Sequence, residues 1–179
     1  MDNVNNFIIQ ILSSKFLCKD FCEIVEDDDS YIYNNYEGNI EEKHLIDLIE
    51  RSKKDLCYER FLSALTVCLR KEDVTQKVFD LLLSFNGRFR ESILIGLAHC
   101  NLSYYQLIEL NKLHIDEALS QLLEICIKFD CFSQYDLFDI MQEWKNTPPK
   151  YIIEYILENY GKTKKGELLK EYCYSKKFL

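Results

Sequence analysis

Apolar residues recur three and four positions apart along nearly the whole chain, from Phe7, Ile8, Ile11 and Leu12 to Leu168, Leu169 and Tyr172. This is the period of one face of a helix, not of a strand. The same sequence holds only 5 Gly and 2 Pro in 179 residues, too few for the many turns of a β-sandwich or barrel. The expected class is therefore all-α, with roughly ten helices joined by short loops. Tyr31-Ile32-Tyr33 is the one place where alternation would also suit a short strand.

Local signals divide the pattern. Helices are expected from Phe7 to Val25 with a break near Ser13-Ser14, from Ile40 to Ser52, from Asp55 to Arg70, and from Val74 to Phe85. Asp73 reads as the N-cap of the last of these, and Asn86-Gly87 as its left-handed stop. Further helices are expected from Arg88 to Cys100, after Ser103, from Asp116, after Ser133, from Thr147-Pro148-Pro149 to Gly161, and after Thr163. From Lys54 onward they read as pairs beginning near Lys54, Arg88, His114 and Pro148, spaced 34, 26 and 34 residues. Such spacing suits antiparallel hairpins stacked as an α-solenoid, and it suits a compact helical bundle as well. The length points to a single domain over 1–179, with an acidic, tyrosine-rich part at 1–38 and a body of helical pairs at 39–179.

The net charge of −8 is concentrated at one end. Residues 1–50 carry 12 acids against 3 bases, and residues 51–179 carry 18 against 19. Glu26, Asp27, Asp28 and Asp29 form the densest run. Tyr31, Tyr33, Tyr36 and Glu37 follow, then Glu41 and Glu42 in the first turn of a helix, where acids suit the dipole. These ten residues are the candidate partner-binding set. The acids would attract and orient a basic protein, and the tyrosines would supply rigid contact area. The overall acidity argues against nucleic acid as a ligand, and no apolar run is long enough for a membrane helix.

Eight cysteines are scattered, most of them among apolar neighbours, and Met1 to Phe7 shows no basic start or apolar run of a signal peptide. Reduced cysteines used as small hydrophobes, in a cytoplasmic protein, are the expectation. No phosphate-binding glycine loop, nucleophile elbow or zinc-protease motif is present. His44, His99 and His114 stand alone. Cys18 and Cys22, and Cys126 and Cys131, lack the spacing of a zinc site. The acids of 23–29 lack the spacing of a calcium loop. No catalytic residue, cofactor or metal site is expected.

A small acidic helical chain with pairwise spacing and a concentrated acid–tyrosine segment resembles the HEAT-like all-helical immunity proteins that neutralise bacterial toxins. The resemblance lies in architecture. It implies a non-catalytic protein that occludes a basic toxin domain, often a nuclease. Two other functions fit the same residues: a helical scaffold binding a peptide in its groove, and a helical enzyme without a short motif.

Overall fold

A computed structural model describes Leu12, Tyr36 and residues 40–128 and 150–178. Among these there are eight α-helices and no strand, so the described part of the chain is all-α. The helices expected near the N-terminus and after Ser133, and the Tyr31-Ile32-Tyr33 alternation, lie outside the described residues. No helix among the described residues is long and apolar enough to cross a membrane. The chain divides into two units, Met1–Leu102 and Ser103–Leu179.

In the first unit α1 spans Glu42–Ser52, α2 Leu56–Cys68, α3 Gln76–Leu83 and α4 Arg90–Ala98. Helix α1 packs on α2 and α3, and α4 packs on α2 and α3. The helix pair expected to begin near Lys54, α2 with α3, is thus not the packing pair. Consecutive partners are α1 with α2 and α3 with α4. The three residues between α1 and α2 make a turn that brings the second helix back along the first. Leu48 and Ile49 from α1, Phe61, Leu62 and Leu65 from α2, Phe79 and Leu82 from α3, and Ile93, Leu94 and Leu97 from α4 form the buried core.

Three local details fix how these helices start and meet. Helix α3 is capped by Thr75, whose hydroxyl accepts from Val78 N, and not by Asp73 as the sequence led one to expect. Asp73 instead lies in an isolated parallel bridge with Asn101, and its carboxylate accepts from the Asn101 side chain. Around that bridge Lys71 N donates to His99 O (3.0 Å) and Asn101 N donates to Glu72 O (2.8 Å). Helix α4 has no capping side chain of its own. The buried Glu59 of α2 does that work from across the core, accepting from Phe89 N. Its carboxylate lies against Gly87, where a Cβ would collide with it. Gly87 is therefore a point of close approach. It has no left-handed φ, and α3 ends earlier, at Leu83 with Ser84 as its C-cap.

In the second unit α5 spans Tyr104–Asn111, α6 Asp116–Lys128, α7 Lys150–Tyr160 and α8 Lys164–Lys176. Helix α6 packs on α5, α7 and α8, and α7 packs on α8. Leu107, Leu110, Leu119, Leu122, Leu123, Ile153, Ile156 and Leu169 are buried. Ser103 opens α5 with a full capping box: its hydroxyl takes Gln106 N and the Gln106 side chain takes Ser103 N. Thr163 caps α8 by accepting from Gly166 N (3.0 Å).

The cysteines divide by position. Cys68, Cys100, Cys126 and Cys173 are thiols. Burial pushes the Cys100 thiol up to about 12 and that of Cys173 up to about 11, so both stay protonated and unreactive at neutral pH. Cys57 corrects the expectation that every cysteine is reduced: it is disulfide-bonded. It sits partly exposed in the first turn of α2, not in the core with Cys100, Cys126 and Cys173.

Candidate partner-binding site

Of the ten residues in the expected binding set, Tyr36, Glu41 and Glu42 are described. Glu26, Asp27, Asp28, Asp29, Tyr31, Tyr33 and Glu37 lie outside the described residues. Glu41 is the N-cap residue of α1 and Glu42 its first residue; both are exposed. Lys43 pairs with Glu41 (2.6 Å), and that hydrogen bond holds the Glu41 carboxyl below the usual carboxylate range.

Tyr36 is half-buried, and its hydroxyl donates to Glu72 Oε1 (2.5 Å). Burial first, and then the hydrogen bond to Glu72, raise the ionisation of the hydroxyl well above its ordinary value. Tyr36 is thus a permanent donor, already engaged within the chain. It fastens residue 36 to the loop that follows α2.

That loop brings in two acids outside the expected binding set. Ile40, Leu45, Leu69, Val74 and Val78 line a cavity of about 110 Å³ together with Glu42, Glu72, Asp73 and Thr75. Glu42 and Asp73 are exposed, and Glu72 is half-buried. An apolar pocket edged by three carboxylates suits the alkyl stem and charged head of a lysine or arginine side chain. Glu72 and Asp73 stand some thirty residues beyond Glu42 in sequence. Only the packing of α1 on α2 and α3 brings them to it.

The second unit holds another tyrosine surface. Tyr151, Tyr155 and Tyr174 are 64%, 50% and 57% exposed. Tyr151 Oη donates to Asp116 Oδ2 (3.4 Å). Partial burial, then the charges of Asp116 and Glu117, raise the Tyr151 hydroxyl, and burial, then Glu117, raises the Asp116 carboxyl. In the sequence the mark of this surface is Tyr151-x-x-x-Tyr155 interleaved with Glu154-x-x-x-Glu158, opposite Ile152, Ile153 and Ile156.

Among the described residues no group of three or more histidine, cysteine or carboxylate side chains could hold a metal ion. The class defined so far is an all-helical protein with carboxylate- and tyrosine-bearing surfaces. Compared with known proteins, the chain matches no family model, no curated protein and no solved structure.

Proposed function

We propose that this chain is a non-catalytic protein-binding domain, an immunity protein that covers the basic surface of a toxin such as a nuclease. The observation that carries the reading is the carboxylate-edged pocket of Glu42, Glu72 and Asp73, to which Tyr36 ties the end of the acidic segment. Acids spread over a partner's basic cleft raise the association rate and set orientation, and partly buried tyrosine adds contact area. The thiols of Cys100 and Cys173 are buried and stay protonated, so these two serve packing and not nucleophilic chemistry.

The finer architecture in this reading is an α-solenoid. Two features support it. First helices of consecutive pairs meet (α1 on α3), and so do second helices (α2 on α4), which is the packing of stacked hairpins. The capping residues Thr75, Ser103 and Thr163, together with Ser133, which the sequence alone marks as a cap, also recur at 28, 30 and 30 residues. The reading places the protein in the cytoplasm, which the four thiols favour and the Cys57 disulfide does not.

The test is to co-express the chain with a toxin domain encoded beside its gene. Rescue of growth and a co-purifying complex are expected. Changing Asp27, Asp28 and Asp29 to lysine should slow association and flatten its salt dependence. A toxin that kills unhindered, with no complex formed, sinks the proposal.

A further inference from the structure

The exposed side of α7 carries Tyr151, Glu154, Tyr155 and Glu158 at the i, i+3, i+4 and i+7 spacing that puts side chains in one stripe. Ile152, Ile153 and Ile156 are buried on the other side and fix which side faces out. Two tyrosines at least half-exposed stand one turn apart on α7 and offer two aromatic faces with polar tips to a partner. A hollow of about 460 Å³ runs beside the stripe, lined by Lys150, Glu154, Leu157, Glu158 and Tyr174.

The charge of the stripe says what it fits. Glu154 and Glu158 lie on it, and Asp116 adjoins it through Tyr151. Two cations lie beside it: Lys150 pairs with Glu154 (3.3 Å), an exposed contact that a basic side chain of the partner would replace, and Lys170 sits over the Tyr174 ring at 6.0 Å. Glu154 and Glu158 are four residues apart, about 6 Å along the axis. In an extended peptide, side chains two residues apart lie on the same side, about 6.6 Å from one another. A basic side chain at every second position therefore matches both glutamates in register. Arginine would also stack on the tyrosine rings while pairing with the carboxylates.

We propose that this face of α7 binds an extended basic segment of a protein partner, in which arginine or lysine alternates with another residue. The inference goes beyond the proposed function. It concerns the second unit, and it needs no contribution from the acidic N-terminal segment.

The experiment titrates the full chain with the peptide acetyl-(Arg-Ser)4-amide and follows backbone amide signals by NMR. The expected result is saturable movement of the signals of residues 151–158, weakened in the presence of high salt. Glu154→Gln with Glu158→Gln, both on exposed positions, should weaken binding at these signals about fivefold, the scale of two exposed ion pairs. Tyr151→Ala with Tyr155→Ala should weaken it further. A peptide of the same composition with its four arginines contiguous should bind α7 less well. The inference is overturned if the α7 signals stay still, if the double glutamine chain binds as the unaltered one does, or if acetyl-(Glu-Ser)4-amide binds equally. The Asp27, Asp28 and Asp29 lysine chain, titrated with the same peptide, reports on the N-terminal segment separately. Loss confined to that chain overturns the α7 surface and leaves the proposed function standing.

Discussion

Gly96 lies in α4 where that helix meets α2, and a Cβ there would come within 2.5 Å of Thr66 Oγ1. Thr66 cannot easily retreat: it is fully buried and its hydroxyl donates to Ser63 O (2.7 Å). Gly96→Ala should therefore destabilise the chain by about 1–3 kcal/mol, the usual cost of overpacking a filled core. Thr66→Ala in the same chain should recover part of the loss, and a double-mutant cycle in urea would measure the coupling. An additive pair would refute the contact. The cysteines give a second residue-scale test. Cys100, Cys126 and Cys173 are buried and Cys68 is half-buried. Of these four, thiol labelling of the folded chain at pH 8 should reach Cys68 first and leave the other three until denaturant is added. Prompt reaction at Cys100 would contradict its burial.

At the scale of helices, two start signals of different origin can be compared. Helix α5 is capped locally by the Ser103–Gln106 box, and α4 by Glu59 from another helix. Ser103→Ala should cost about 1 kcal/mol. Glu59→Ala should cost about 1–3 kcal/mol, since it opens a cavity and leaves Phe89 N without its partner. Equilibrium denaturation of both variants, read against the unaltered chain, would show the order. The two caps also show what could be read from the sequence. Ser103 and Thr163 were legible because a cap of that kind is spelled within four residues of the helix it opens. Glu59 was not, because its partner lies thirty positions away and only the meeting of α2 and α4 joins them. Asp73 misled for a related reason: a good capping residue was taken up by Asn101, and Thr75 took the cap. The proposed binding surface follows the same rule. Glu41 and Glu42 were visible as acids at a helix start, whereas Glu72 and Asp73 joined them only through packing. Tyr151 and Tyr155 were written in the i, i+4 spacing and were overshadowed by the denser charge of the first fifty residues.

For the whole molecule, the buried thiols and the engaged tyrosine predict how stability responds to alkali. An unfolded cysteine ionises near pH ~8.5 and an unfolded tyrosine near ~10. In the folded chain Cys173 is held up to about 11 and Cys100 up to about 12, and Tyr36 is raised as well. Groups raised in this way keep their protons longer folded than unfolded. Their contribution is complete below pH ~8.5 and is lost progressively as pH rises toward the folded values. The melting temperature should hold between pH 7 and 8.5 and fall from there to pH 11. Tyr36→Phe should lessen the part of the fall that begins near pH ~10. A melting temperature that rises over that range would reverse the sign and refute the account.

The recurrence of cap residues in the proposed solenoid has a consequence for how such a chain can change length. Asp73-Val74-Thr75 and Asn101-Leu102-Ser103 end on residues that each open a helix, 28 positions apart. Excising residues 76–103 would join Thr75 directly to Tyr104. The helix start at Tyr104 would exchange one hydroxyl cap for another, and no helix would be cut. In such a chain the natural unit of insertion and loss is a whole hairpin, spliced at its caps.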